Sequence, residues 1–462
     1  MGKAYYMGKD VTGVRSLQRK HTPDTVGLES RVQTSLQGIA KRASACKDHR
    51  FQNLYQLLNE ELLLACWGEL NKRAASGVDE VTAQAYEEDL YANIEDLVRR
   101  LKTKCYRAKL VKRCYIPKAN GQLRALGIPA LEDKLVQRAC ARILTAIYEE
   151  DFVDFSYGYR PERCARDALE DMGFNLQYGS FGYVVEADIK SFFDKIDHEW
   201  LLQMLEHRIQ DRAFTGLIRR WLKAGILDTD GEIIHPEAGS PQGGSVSPIL
   251  ANVYLHYVLD LWFDRVVKPR CKGQVMMIRY ADDYICAFQY KSDAKRFYRA
   301  MPKRLEKFNL SVAPEKTALQ RFSRFSPSLV NRFQFLSMEF YWDTDYYGEL
   351  RVKKRTAPKR LQAAKQKIKD WIKKNRHLKG QLFITALNRR LVGHYNYFGL
   401  RSNEKGVGSF YRFAIGCAFK WLNRRGGKKK SFNWDQFKIA LKRLGVARPI
   451  CADRQREHRI LA

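Results

Sequence analysis

Apolar residues fall into two rhythms along the chain. Leu54, Leu57, Leu58, Leu62 and Leu63 recur at helical spacing between Phe51 and Leu70, and Leu135, Val136, Ala139, Ile143, Leu144 and Ile147 do so after Glu132. A third helix is predicted from Leu250, Val253, Tyr254, Tyr257, Val258 and Leu261, with Ser247 as N-cap and Pro248 in the first turn. Shorter β-rich runs alternate with these. Leu110–Pro117 and Leu123–Pro129 read as a hairpin closed by prolines, and Phe181–Asp188 reads as a buried strand that ends on an acid. Val275–Ile278 and Tyr284–Phe288 flank the turn Tyr280-Ala281-Asp282-Asp283. Near the C-terminus, Lys359–Lys374 and Leu382–Leu391 predict amphipathic helices, the second exposing Arg389 and Arg390. A further helix is expected across Leu28–Arg42, within a basic first 50 residues.

Two adjacent carboxylates at a turn repel, and Asn-Gly would serve a plain hairpin at less electrostatic cost. If the strand ending at Asp188 neighbours the hairpin, Asp188, Asp282 and Asp283 form an oxygen-donor cluster suited to two Mg2+ ions about 4 Å apart, the arrangement that clamps a phosphoryl transfer. A solvated acidic turn is the competing reading. Lys118 and Arg124 flank the tip of the first hairpin, placed to grip a triphosphate. Phe193 lies five positions past Asp188, near the expected sugar of a nucleotide. Gly239-Ser240-Pro241-Gln242-Gly243-Gly244 opens into a helix and lets backbone approach a ligand. Ser156-Tyr157-Gly158-Tyr159-Arg160-Pro161 reads either as a nucleic-acid contact through Arg160 and the tyrosines or as core packing.

Charge narrows the substrate. The 462 residues hold 82 Lys+Arg against 51 Asp+Glu, a net charge of +31, which points to nucleic acid. Residues 351–462 carry 31 basic and 5 acidic side chains, so most of the excess belongs to the last quarter. That region is also rich in Trp, Tyr, Phe and Leu, as a folded basic surface is. The ten cysteines show no CxxC spacing, as expected of reduced thiols rather than a zinc site. No apolar run reaches about 18 residues and no leader pattern opens the chain, so the expectation is a cytoplasmic, nucleoid-associated protein without a membrane.

Taken in order, Ile116-Pro117-Lys118 to Arg124, Leu126-Gly127-Ile128-Pro129, Tyr157–Pro161, the Pro-Gln-Gly loop and Ala-Asp-Asp resemble the reverse transcriptases encoded by bacterial group II introns, over roughly residues 50 to 425. The resemblance implies an α+β right-hand polymerase followed by an all-α thumb and maturase domain. Its expected layout is a basic arm (1–50), fingers (51–180), palm (181–345) and thumb with maturase domain X (346–462), without an endonuclease module. It implies Asp188 and Asp282 as the main ligands of two Mg2+ ions, helped by the Ile189 carbonyl and Asp283. Lys118 and Arg124 would hold dNTP phosphates, Phe193 would exclude a ribose 2′-OH, Gln242 and Gly243 would line the pocket, and Lys316 would donate a proton to pyrophosphate. His394, Tyr395, Arg424 and Arg425 lie in the strings that carry the match to domain X, and they join Arg160, Arg389 and Arg390 as RNA-contact candidates. The implied partners are structured intron RNA, an RNA template with DNA primer, target DNA and dNTPs. The implied function is RNA-directed DNA synthesis with support of intron splicing and mobility. The alternatives are a maturase whose polymerase is incidental, or a reverse transcriptase recruited to host defence. Two departures stand out: Phe335-Leu336-Ser337-Met338 has Ser337 where the family usually has Gly, and Cys164 and Arg166 replace the usual Ser and His.

Overall fold

The computed structural model describes residues 25–451 except 118–120, 122, 328–329 and 425–431. Among these the strands are β1 Val111–Pro117, β2 Leu123–Ile128, β3 Tyr183–Asp188, β4 Ile226–Leu227, β5 Ile233–Ile234 and β6 Val275–Tyr280. They continue with β7 Asp283–Phe288, β8 Ala318–Arg321, β9 Phe333–Phe335, β10 Met338–Thr344 and β11 Leu350–Thr356. Three sheets result, ordered β2-β1-β4-β5, β6-β7-β3-β8 and β11-β10-β9.

The middle sheet organises the chain. Its strands are antiparallel and β7 is nearly continuous in apolar residues because both faces are covered. Val184, Ile285 and Ala287 project into one core, with Leu169, Met172, Phe333 and Phe340. Val185, Tyr284 and Cys286 project into the other, with Leu250, Val253 and Leu135. The period-two pattern of each strand therefore ties two apolar cores to one sheet.

Several predicted elements shift. The leucine run from Phe51 is not one helix: a 3₁₀ turn, Tyr55–Leu57, precedes the helix Glu60–Glu69. Asn59 takes an extended backbone between them, and its side chain accepts from the Leu62 amide at 2.9 Å, so an N-cap wins over continuous helix. Leu54, Leu58, Leu62 and Leu63 still reach the core. The helix after the Pro-Gln-Gly loop starts at Ser247, with Val246 as its cap residue. The first helix extends over Thr25–Ala45, and Arg208 donates to the carbonyls of Ala43 and Cys46 at its C-terminal end. Residues 1–24 of the basic first 50 lie outside the described residues.

The helices Pro358–Asn375, Gly380–Phe398, Glu404–Leu422 and Trp434–Arg443 share a third apolar core built on Ile372, Phe383, Leu387, Val407 and Ala414. No helix among the described residues is long and apolar enough to cross a membrane.

Candidate active site

The acidic cluster follows from strand register. β3 runs antiparallel to β7 with Asp188 opposite Asp283, and β6 pairs β7 with Tyr280 opposite Asp283. Ala281 and Asp282 are thus a two-residue hairpin loop. Ala281 has φ +56°, a left-handed conformation that the bond pattern of a tight hairpin demands and that Gly normally fills. Gly158 packs against it so closely that a Cβ there would lie 2.3 Å from the Ala281 nitrogen.

These acids line a cleft of about 1210 Å³ shared with Ile189, Arg124, Phe193, Gln242 and Lys316. The sequence spreads these residues from position 124 to 316; the fold brings them to one place. Backbone bonds tie the walls together. Ser240 N–H donates to the Phe193 carbonyl at 2.8 Å, and Gly127 N–H donates to the Gln242 carbonyl at 2.7 Å. Gly243, at φ +123°, passes so close to β2 that a Cβ would lie 2.4 Å from the Gly127 oxygen. The loop is therefore pinned both to the strand bearing Arg124 and to the segment bearing Phe193. Ile189 buries its side chain while bridging Val312. Lys118 lies outside the described residues.

Burial dominates the electrostatics of the acids. Burial, and after it the neighbouring Asp188 and Asp282, pushes the Asp283 carboxyl up to about 7. Burial also raises Asp282, with Asp188 adding to the effect. Lys316 Nζ donates to Asp188 Oδ2 at 2.7 Å, which in turn raises the Lys316 ammonium above its ordinary value. Among the described residues no three acidic, His or Cys side chains already converge as a ligand cage, and Lys316 supplies the local countercharge. The donor set is all carboxylate and underneutralised, which suits a hard divalent cation.

Other candidates part from the cleft. Arg160 is 7% exposed; its guanidinium bonds Glu149 and the carbonyls of Val153 and Ser156, so it ties a loop together rather than facing RNA. His394 stacks on Phe410 at 3.8 Å between centroids, and Tyr395 is buried with its hydroxyl donating to the Ala447 carbonyl. Both belong to the C-terminal core, because the helix Gly380–Phe398 turns that face inward. Arg389, Arg390 and Arg424 are exposed, Arg390 lying over the Trp371 ring and Arg424 beside Trp421. Arg425 is outside the described residues.

Four cleft neighbours were not among the residues expected to bind nucleotide or metal. Tyr159 is half exposed, with its ring edge-on to Phe193 at 6.4 Å. Arg332 and Arg360 line the opening, and Tyr397 donates to the Leu336 carbonyl at 3.0 Å. Tyr159 had a signal in its Gly-Tyr-Arg-Pro loop. Arg332, Arg360 and Tyr397 had none, since only the fold carries these distant segments to the cleft.

The profile of the reverse transcriptase (RNA-dependent DNA polymerase) family matches residues 116–340, which contain all three acids. Protein YkfC of Escherichia coli K12 is 32% identical over 350 residues, 68% of this chain and 89% of that protein. The group II intron-encoded protein LtrA of Lactococcus lactis subsp. cremoris is 38% identical over 241 residues, 50% of this chain. This chain belongs to the group II intron-encoded reverse transcriptase family. It spans 39% of the length of LtrA. An uncharacterised 91 kDa protein in a cob intron of Schizosaccharomyces pombe is 36% identical over 210 residues, 44% of this chain and 25% of that protein. Membership implies a palm and fingers fold, in keeping with the mixed α/β architecture around the middle sheet.

Proposed function

We propose that this chain is an RNA-directed DNA polymerase that also binds a structured group II intron RNA. The observation that carries the reading is the register that sets Asp188 opposite Asp283, with Asp282 beside them, in a cleft that also holds Arg124, Phe193 and Gln242. On this reading residues 51–180 are fingers, 181–345 palm, and 346–462 thumb and maturase region, with 1–50 a basic arm.

The reaction is attack of a primer 3′-OH on the α-phosphate of a dNTP, with pyrophosphate leaving. Asp188, Asp282 and Asp283 would hold two Mg2+ ions, with the Ile189 carbonyl assisting, and these ions when bound polarise the α-phosphate and activate the 3′-OH. Arg124 and Lys118 hold the triphosphate from the hairpin. Phe193 fills the space beside the sugar and disfavours a 2′-OH. Gln242 and Gly243 present polar backbone and side chain to the nucleotide. Lys316, held at Asp188, protonates the departing pyrophosphate. The exposed cations Arg389, Arg390 and Arg424 contact RNA phosphates.

Primer extension on an RNA template with Mg2+ and dNTPs tests the chemistry. Wild type extends and Asp188→Ala does not. Asp282→Ala loses DNA synthesis but keeps intron RNA affinity; equal loss of both would sink the division of labour.

A further inference from the structure

Arg279 precedes the acidic turn in β6 and is fully buried, as is Asp260. A guanidinium has five N–H bonds. Here Nε donates to Asp260 Oδ1 at 2.7 Å and one terminal nitrogen to Asp260 Oδ2 at 2.5 Å and Ser156 Oγ at 2.7 Å. The other terminal nitrogen donates to Asn252 Oδ1 at 3.1 Å and to the Ala281 carbonyl at 3.0 Å. All five donors are used, and one holds the left-handed residue of the acidic turn.

The rest of the network reaches the opposing loop. Asn252 Nδ2 donates to the Gly158 carbonyl at 2.7 Å, and Gly158 is the residue packed on Ala281. The Arg279 carbonyl accepts from the Tyr157 amide at 2.8 Å. The helix that carries Asn252 and Asp260 contains a π-helical turn, His256–Asp260. Two α-turns advance about 7 residues, so a regular helix would present Leu259 on the Asn252 face. The extra residue of the π-turn presents Asp260 instead, the arrangement by which such turns commonly serve functional sites.

A buried ion pair is a poor device for stability alone, since apolar residues of similar volume often serve as well. Its geometry gives it another use. We propose that Arg279, held by Asp260 and Asn252, is a positioning residue that fixes the Ala281–Asp282 turn against the Tyr157–Tyr159 loop and so sets the placement of the cleft carboxylates. This rests on the polymerase reading for its catalytic consequence, though not for its structural one.

The test compares wild type, Arg279→Lys and Ser156→Ala in the full chain. Lysine keeps the charge but offers three donors without the planar fork. Amide hydrogen exchange over residues 279–285 is expected to speed up at least about tenfold in Arg279→Lys, with the β10–β11 hairpin unchanged. Single-turnover nucleotide addition should fall about a hundredfold with the KM for dNTP little changed, as for a misplaced reacting group. The Mg2+ concentration for half-maximal rate should rise. Ser156→Ala, which removes one of five acceptors, shows smaller changes of the same sign. Unaltered exchange at the turn in Arg279→Lys, or in Ser156→Ala should the lysine variant not fold, overturns the proposal. Wild type that extends no primer while its turn responds in exchange would instead refute the polymerase reading and leave the positioning role standing.

Discussion

Gly158→Ala is the sharpest perturbation the cleft offers. A Cβ at this position would meet the Ala281 nitrogen at 2.3 Å, the Tyr280 carbonyl carbon at 2.9 Å and the Ala281 Cα at 3.1 Å. All three are backbone atoms, so no side chain can swing away. Ordinary contact begins near 3.4 Å, and the turn or the loop must therefore give by roughly 1 Å. Moving the turn moves Asp282 directly. A misplacement of that size costs about a hundredfold in rate, and the overpacking costs about 1–3 kcal/mol of stability. The assay is single-turnover addition of one dNTP to a primed RNA template, alongside thermal unfolding and RNA binding. Gly416→Ala is the control, because nothing lies within 4 Å of its added carbon and it sits within the helix Glu404–Leu422, where Ala should add about 0.5–1 kcal/mol. Gly158→Ala that stays within about threefold of wild type, with the expected loss of stability, would refute the coupling between this loop and the acidic turn.

Leu336 and Ser337 both have positive φ, 48° and 66°, at the tip of the β9–β10 hairpin, so Ser337→Gly should stabilise the protein by about 1 kcal/mol; an unchanged melting temperature would contradict this. Burial pushes His394 down to about 4 from its ordinary 6.5, and His256 likewise. Their folded pKa values lie below the unfolded ones, so this stability is complete above pH 6.5 and is lost as pH falls from there towards 4, by about 3 kcal/mol for each ring. His394→Phe keeps the stack on Phe410 and should flatten the acid limb of a melting-temperature profile; an identical limb would count against burial as its cause. Arg389→Ala should weaken structured-RNA binding and reduce the slope of log affinity against log salt by about 1; a full-strength slope would exclude a phosphate contact there.

Local features were legible in the order of residues along the chain. Apolar periodicity located the strands ending at Asp188 and flanking Asp282 and Asp283, since a strand covered on both faces leaves a continuous apolar run. Unpaired acids at a turn and an excess of charge on the last quarter marked chemistry and substrate class, and the order of the motifs named the family. Local pattern failed where a short-range preference competed with it, as Asn59 did by capping a new helix inside a leucine run. Tertiary structure alone decided which residues meet. It paired Asp188 with Asp283 through strand register, and set Lys316 against Asp188 across more than a hundred positions. It withdrew Arg160, His394 and Tyr395 from the surface, because one helical or loop face must fill the core and sequence spacing does not say which polar group goes with it. It also buried Arg279, whose five donors find their acceptors only once three separate segments have come together.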